Sequence, residues 1–295
     1  MKKREGKTPV KPPHFLSLGF ITYDLYENRK IIGGASAYSA ILARNFGFDT
    51  AIVTSIGKDF EECDSLKGCR LSYQIDERTT TFVKKRVQYV TSIADRIKEE
   101  TIPDEWFNSA IVYISPVLDE LEETIIRRFE RSGSLIGVAP QGWMRRVDHR
   151  DRGKVSKKSW EKAAEVLSKA DFVIVSEEDI FEEDIQKYVE LSDIFVLTRG
   201  RRGAELYCGG EERREREYEH IVIPAFDREA VEVDATGAGD VFGAAFLLRY
   251  YENRDVLESA IFASSAASFV VEKAGVAGIP YKDEVEERME KYLLR

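Results

Sequence analysis

The chain has 295 residues, of which 43% are hydrophobic and 33% are charged, and its formal net charge is −9 at pH 7. This composition excludes a chain that is disordered throughout, and the net negative charge excludes general nucleic-acid binding, which needs a basic surface to neutralise phosphates. No apolar run approaches the roughly 20 residues that span a bilayer, and the three cysteines lack the spacing of a disulfide framework or a zinc cluster, so we expect a cytoplasmic protein with no membrane partner.

The N-terminal half of the chain alternates apolar runs with amphipathic stretches. Residues 1–13 are basic and rich in proline, and we expect a flexible tail there, ahead of one domain over 14–295. The predicted elements are a strand His14–Ile21, a helix from Gly33 to Asn45, strands Thr50–Ser55 and Ile111–Ser115, a helix Leu118–Ser132 and a strand Leu135–Ala139. Residues 71–97 combine Thr and Val with alternating charge, which indicates exposed strands in a small antiparallel element attached to the core.

The C-terminal half keeps the same alternation. The predicted elements are a helix Lys157–Lys169, strands Phe172–Ser176 and Ile194–Thr198, a strand pair Ala204–Cys208 and His220–Ile223, and helices Gly237–Tyr251, Val256–Lys273 and Lys282–Leu294. Strands that alternate with helices predict an α/β fold with a mostly parallel sheet covered on both faces. Because ligands of such sheets bind at the carboxyl ends of the strands, the residues that follow strands are the candidates for a site.

The segment Asp234-Ala-Thr-Gly-Ala-Gly-Asp240 is such a candidate, since it follows the short apolar run Val231–Val233 and precedes a helix. Gly237 and Gly239 let backbone N–H groups approach an anion, and the helix N-terminus adds positive dipole character. Asp240 in the first turn is placed to take a proton from a hydroxyl that attacks a phosphoryl group. Taken alone, the segment is equally well explained as a tight glycine turn with an acid that favours the helix dipole.

Two other phosphate-binding motifs fail on their spacing. A dinucleotide fingerprint would need a third glycine at position 242, which is Phe242. A P-loop ending in Gly6-Lys-Thr would need a glycine at position 1, which is Met1.

The segment 234–240 resembles the C-terminal signature of the ribokinase-like, or PfkB, carbohydrate kinases. Three further stretches resemble this family: the Gly-Gly motif and its helix at 33–47, the strand and Gly-x-Asp turn at 50–59, and the nucleotide-side turn at 198–204. The resemblance implies a three-layer αβα sandwich with a small β lid formed by about 22–32 and 71–97. It also implies an ATP-dependent phosphotransferase that acts on a hydroxyl of a small neutral sugar or cyclitol.

The resemblance also implies a role for each matching residue. The catalytic base would be Asp240, and the anion hole would be Gly237, Ala238 and Gly239. The acceptor would lie against Asp24, Gly33, Gly34 and Thr81. The nucleotide would lie against Thr198, Gly200, Gly203, Thr236, Ser264 and Gly275. Mg²⁺ would bridge the phosphates, and Asp234 would lie near a monovalent cation such as K⁺.

Several positions depart from the family pattern. Tyr38 stands where many members carry Asn, which implies a changed acceptor pocket, and Ser176-Glu-Glu-Asp179 replaces an Asn-x-x-Glu motif, which leaves Asp179 a weaker ligand for Mg²⁺. The run Ala139-Pro-Gln-Gly-Trp-Met-Arg145 resembles the myo-inositol kinase-like branch, with Gln141 able to bind ring hydroxyls and Arg145 a hydroxyl or the γ-phosphate.

The acceptor predicted from these departures is myo-inositol or a related polyol. A nucleoside or another sugar is the alternative within the family, and a non-catalytic ligand-binding member of the fold is the alternative from another class. Exposed lid strands also predict a homodimer, because unpaired strand edges favour pairing with a second copy.

Overall fold

The computed structural model describes residues 11–26, 29–83, 88–130, 132–209, 218–226 and 231–293. The strands in these residues are β1 (Phe15–Leu18), β2 (Thr22–Tyr26), β3 (Arg29–Gly33), β4 (Thr50–Gly57), β5 (Cys69–Asp76), β6 (Thr81–Val83), β7 (Tyr89–Ser92), β8 (Ile111–Ile114), β9 (Leu135–Val138), β10 (Arg145–Asp148), β11 (Lys154–Lys157), β12 (Phe172–Ser176), β13 (Ile194–Thr198), β14 (Ala204–Gly209) and β15 (Tyr218–Ile223). The α-helices are α1 (Ala35–Asn45), α2 (Ala163–Leu167), α3 (Glu182–Leu191), α4 (Ala238–Asn253), α5 (Val256–Val270) and α6 (Lys282–Leu293).

A nine-stranded sheet forms the centre of the molecule, in the order β15-β14-β13-β12-β9-β8-β1-β4-β5. The strands from β13 to β5 run parallel, and β14 and β15 form an antiparallel hairpin at one edge. Inner strands such as Ile111–Ile114 are apolar throughout because both of their faces are covered. The carboxyl ends of the parallel strands therefore open at one edge, where a site is expected.

Each face of this sheet has its own hydrophobic core. On one face α1, α4 and α5 pack over the strands, and Phe172 stacks on Phe246 with 4.2 Å between ring centroids. On the other face α2 and α3 pack with several 3₁₀ segments, and Trp143 stacks on Trp160 at 5.1 Å. Helices on both faces of a mostly parallel sheet confirm the predicted three-layer α/β architecture.

A second sheet of six strands, in the order β10-β11-β7-β6-β2-β3, is called the small sheet below. It is antiparallel except for the parallel pair β2 and β6. The predicted lid was wrong for residues 71–76, which form β5, a parallel edge strand of the central sheet. The prediction also missed the hairpin of β10 and β11 at 145–157. An edge strand with one solvated face has the same alternating pattern as a lid strand, so the pattern does not distinguish the two.

Two predicted helices differ from the structure. Residues Leu118–Ser132 contain only a 3₁₀ segment, Glu123–Arg128, because Asp119 adopts a left-handed φ of 64° and the Glu120 side chain turns back onto the backbone. Lys157–Lys169 is divided between the end of β11 and the short helix α2, because β11 pairs with β10 as far as Lys157.

The predicted tail lies almost wholly outside the described residues, of which the first is Lys11. Among the residues that are described, no helix combines the length and the apolar character needed to cross a membrane.

Candidate functional site

The start of α4 lies at the carboxyl edge of the central sheet. Gly237 caps the helix with a left-handed φ of 83°, and a Cβ at this position would collide with the ring of Tyr38. Asp240 lies in the first helical turn. The N–H of Ala238 donates to the carbonyl of Ala235 at 3.2 Å, whereas the N–H groups of Gly237 and Gly239 make no hydrogen bond within the described part of the chain. Two N–H groups at a helix N-terminus are thus available to an anion.

Gln141 connects this helix start to the end of β9. It lies in a 3₁₀ turn, Pro140–Gly142, and its side-chain amide donates to Oδ1 of Asp240 at 3.4 Å. The backbone N–H of Gly142 donates to the carbonyl of Pro116 at 2.8 Å, so the turn rests on the loop that follows β8. The structure therefore brings together Gln141 and Asp240, which are 99 residues apart in the sequence.

Asp24 lies on β2 and is only 3% exposed. A Cβ at Gly33 on the paired strand β3 would lie 2.6 Å from Oδ2 of Asp24, and a Cβ at Gly34 would collide with the carbonyl of Phe20. Gly34 also has a left-handed φ of 93°. The two glycines are thus required by the close approach of β3 and α1 to Asp24 and Phe20.

Tyr38 carries a buried hydroxyl without a partner. Its residue is 1% exposed, and its hydroxyl makes no hydrogen bond to any described residue. Burial raises the pKa of this hydroxyl well above its ordinary value, and the negative charges of Asp24, Asp240 and Asp234 raise it further. A buried hydroxyl normally has a partner, so this group, which faces several acids of the site, is suited to bind a hydroxyl of a ligand.

Tyr26 was not predicted as a site residue. Its hydroxyl donates to Oδ2 of Asp234, and the backbone N–H of Thr236 donates to Oδ1 of the same carboxylate at 3.0 Å. Burial and this hydrogen bond raise the pKa of Tyr26 above its ordinary value. Asp234 therefore ties the small sheet to the glycine loop. Tyr26 lies two residues after Asp24, on the same face of the strand, and this spacing was the signal available in the sequence.

Arg145 and Asp179 form a buried ion pair. Nε of Arg145 lies 2.7 Å from Oδ1 of Asp179, and a terminal guanidinium nitrogen lies 2.9 Å from Oδ2. The two side chains are 14% and 9% exposed. Burial alone would lower the pKa of Arg145, but the carboxylate of Asp179 raises it above its ordinary value. Both oxygens of Asp179 are thus bound to Arg145, which limits the direct contact of Asp179 with a metal ion.

A cavity of about 530 Å³ opens beside the start of α4. Its polar end is lined by Gln141, Arg145, Asp179, Asp240 and the glycine loop. Its other end is lined by small and apolar side chains, namely Ala225, Phe226, Ala267 and Val271, with Ser264 and Ser268. A cavity that is polar at one end and apolar at the other suits a ligand with a charged group and a flat ring.

The predicted nucleotide residues divide into two groups. Thr198, Gly200, Gly203 and Ser264 line the cavity, and the Ser264 hydroxyl donates to the carbonyl of Pro224 at 3.2 Å. Thr236 and Gly275 are not among its lining residues. Gly275 instead faces β3, where a Cβ would lie 2.5 Å from Cγ2 of Ile31.

Two further predicted or neighbouring residues are held by protein groups. Thr81 pairs with Tyr23 in the small sheet, and its hydroxyl donates to the carbonyl of Thr79 at 2.9 Å. Arg199, in the turn after β13, pairs with Glu205 at 2.9 Å and with Glu177 at 3.3 Å. The positive charge of this turn is therefore largely neutralised by neighbouring acids.

Comparison with known proteins agrees with this geometry. The sequence matches the family described as pfkB family carbohydrate kinase over residues 26–282. A nucleoside kinase of Methanocaldococcus jannaschii is 26% identical over 288 residues, which cover 90% of this chain and 87% of that protein. A nucleoside kinase of Methanothermobacter thermautotrophicus is 28% identical over 270 residues, or 84% and 80% of the two chains.

The fold has solved counterparts as well. A pyrophosphate-dependent kinase in the ribokinase family, solved with a pyrophosphate analog and myo-inositol, has a TM-score of 0.70 at 19% identity, over 92% of this chain and 99% of that one. The predicted ribokinase-like fold is confirmed. The chain therefore belongs to the pfkB family of carbohydrate kinases, phosphotransferases that act on hydroxyl acceptors.

Proposed function

We propose that the chain transfers the γ-phosphoryl group of ATP to a hydroxyl of a small polyhydroxylated acceptor, with Asp240 as the general base. The observation that carries this proposal is the position of Asp240, which lines the cavity at the N-terminus of α4 and is joined to Gln141. In this reaction the acceptor oxygen forms a bond to the γ-phosphorus while the bond from that phosphorus to the β–γ bridging oxygen breaks. Asp240 takes the acceptor proton, and ADP leaves.

The cavity supports ATP as the donor. The phosphates would lie at its polar end, where the N–H groups of Gly237 and Gly239 are directed to stabilise the charge of the transferring phosphoryl group. The adenine would lie at the apolar end, between Phe226 and the small residues of α5. The guanidinium of Arg145 lies in the wall between Gln141 and Asp179, within reach of the same phosphoryl group.

The acids of the cavity wall fit a magnesium ion. Mg²⁺ prefers oxygen ligands and is commonly held by substrate phosphates with one or two carboxylates and water. Glu178 presents an exposed carboxylate to the cavity and would hold such an ion, whereas the Asp179 oxygens are bound to Arg145. When bound, the ion would neutralise phosphate charge. A monovalent cation near Asp234 stays a prediction.

The acceptor is proposed to be myo-inositol or a related polyol. Asp24 and Gln141 offer acceptor and donor groups to neighbouring hydroxyls, and the ring of Tyr38 takes up space beside the glycine loop. A solved relative that binds myo-inositol supports this choice. A nucleoside is the second candidate, which the two archaeal relatives named nucleoside kinase support.

The deciding experiment is an acceptor panel with both donors. ADP or phosphate release would be measured for myo-inositol, ribose, fructose, cytidine and adenosine, with ATP and with pyrophosphate as donor, and with EDTA as the metal-free control. We expect the highest rate with ATP and myo-inositol and no turnover with EDTA. A highest rate with cytidine or adenosine would select the nucleoside alternative. A lack of turnover with every acceptor would contradict the kinase assignment and favour a ligand-binding protein.

Tyr38→Phe provides a test of the acceptor pocket. The substitution removes a buried hydroxyl without a partner and keeps the ring against Gly237, so the free energy of unfolding should stay equal or rise by up to about 1 kcal/mol. If the hydroxyl binds the acceptor, kcat/KM for the acceptor should fall about tenfold, the effect of one hydrogen bond. Steady-state kinetics and thermal unfolding measure the two quantities.

Tyr113→Phe is the matched control for that variant. Its hydroxyl is also buried without a partner among the described residues, and it packs against Gly243, inside the core. We expect the same change in stability with unchanged kinetics. Equal kinetic constants for Tyr38→Phe and the wild type would show that the Tyr38 hydroxyl does not bind the acceptor. The cytoplasmic location, the homodimer and the absence of nucleic-acid and membrane partners also stay predictions.

A further inference from the structure

Glu120 is a buried acid outside the residues discussed so far as ligand contacts. It is 1% exposed and lies in the loop that follows β8. Its Oε1 accepts the backbone N–H groups of Phe20 and Val117, each at 2.9 Å, and its Oε2 accepts those of Val117 at 2.9 Å and Leu118 at 2.7 Å. Burial raises the pKa of Glu120, while these N–H groups act in the opposite direction by stabilising the carboxylate.

The first loop held by Glu120 leads to the acceptor residues. Phe20 lies between β1 and β2, the strand that carries Asp24. The carbonyl of Phe20 accepts the hydroxyl of Ser36 at 2.8 Å, and Gly34 packs directly against the same carbonyl. Glu120 therefore fixes the point from which both β2 and the N-terminus of α1 are placed.

The second loop held by Glu120 supports Gln141. A Cβ at Gly142 would lie 2.6 to 2.8 Å from backbone atoms of Pro116, Val117 and Leu118, so the turn that carries Gln141 rests on the segment bound by Glu120. The indole N–H of Trp143 donates to the carbonyl of Leu121 at 2.8 Å, which adds a second link between the same two segments. Asp24 and Gln141 thus reach the site through loops that meet at one carboxylate.

We propose that Glu120 is a positioning residue for the acceptor site, which sets the placement of Asp24 relative to Gln141 and Asp240. This inference rests on the proposed kinase function. The donor cavity has its own supports, the turn after β13 and helix α5, neither of which contacts Glu120 through these hydrogen bonds. Loss of the carboxylate therefore affects the acceptor more than ATP.

Glu120→Gln tests this proposal, because it keeps the size of the side chain but places an NH₂ group against backbone donors. The probe is whichever of myo-inositol, ribose, fructose, cytidine and adenosine the wild-type chain phosphorylates fastest. A displacement of about 1 Å in a site can reduce a rate about 100-fold, so we expect acceptor KM to rise at least about tenfold. ATP KM should stay within about twofold, since the donor cavity is supported separately.

Asp171→Asn is the matched control. Asp171 is also a partly buried carboxylate with a pKa raised by burial, and its Oδ2 accepts the N–H of Ile136 at 2.7 Å. It precedes β12, at the opposite edge of the sheet from the site. We expect a lower unfolding temperature without a change in either KM. If Glu120→Gln does not fold, Trp143→Phe removes the link to Leu121 and should raise acceptor KM about threefold by the same displacement.

Three outcomes would overturn the inference. In the first, Glu120→Gln folds with both KM values unchanged. In the second, the two KM values rise equally, which is the result of a general structural role. In the third, Glu120→Gln does not fold and Trp143→Phe folds with an unchanged acceptor KM. A wild-type chain without activity on any acceptor would instead overturn the proposed function on which the inference rests.

Discussion

Asp240→Asn is expected to lower kcat about 10³-fold while ATP affinity stays within a factor of about two, because a general base contributes about 10² to 10⁴ to a rate. Asp240 lines the polar end of the cavity, and the amide that replaces it cannot take the acceptor proton. ATP affinity should survive because the adenine end of the cavity lies on α5 and Phe226. Steady-state kinetics give kcat, and isothermal titration with ATP gives the affinity.

The control for Asp240→Asn is the same substitution at another helix start. Asp255 caps α5, where its carboxylate accepts the N–H of Glu258 at 2.9 Å, and Asn caps helices about as well as Asp. Asp255→Asn should leave kcat and stability unchanged. An Asp240→Asn variant that turns over at close to the wild-type rate would show that another group accepts the proton.

Arg145→Met is expected to lower the free energy of unfolding by about 3 kcal/mol and kcat by about 10²-fold. The substitution leaves the buried carboxylate of Asp179 without its bidentate partner, and the penalty is the cost of an uncompensated buried charge. The kinetic loss has a separate cause, the removal of a cation from the wall that faces the transferring phosphoryl group. Chemical denaturation and steady-state kinetics measure the two effects.

The double variant Arg145→Met/Asp179→Leu separates the two effects. Replacing a buried ion pair by apolar side chains of similar size is often neutral for stability, so the free energy of unfolding should return towards the wild-type value. The rate should stay low, because the cation is still absent. Arg127→Met is the surface control: its partner Glu165 lies 3.2 Å away with both side chains about half exposed, and less than about 1 kcal/mol should be lost. Recovery of the rate in the double variant would contradict a role for Arg145 in phosphoryl transfer.

The parts of the site that the sequence predicted are those with local signals. The glycine loop and Asp240 occur within seven residues, and their role follows from the geometry of a single helix start. The alternation of strands and helices likewise predicted the layers of the fold, because each element shows its own periodicity. Gln141 could be placed beside Asp240 only through a family resemblance, because nothing in the residues between them specifies the contact.

The features that were missed depend on long-range contacts or on one side chain that overrides a local pattern. Tyr26 and Asp234 are 208 residues apart, and Arg145 and Asp179 are 34 residues apart. The stretch 118–132 has helical periodicity, but Glu120 binds the backbone N–H groups of the preceding turn and prevents a regular helix there. Residues 71–76 show the pattern of a half-solvated strand, which is compatible with either sheet, and only the pairing with β4 decides between them.

The bond between Tyr26 and Asp234 has a consequence for the order in which the enzyme is assembled. The two residues are separated by 208 positions, which a ribosome adding about 5–20 residues per second covers in roughly 10–40 s. Throughout that interval the nascent small sheet lacks its contact with the glycine loop. Asp240 follows Asp234 by six positions, so the chain acquires the anchor of the small sheet and its catalytic base almost simultaneously, late in synthesis.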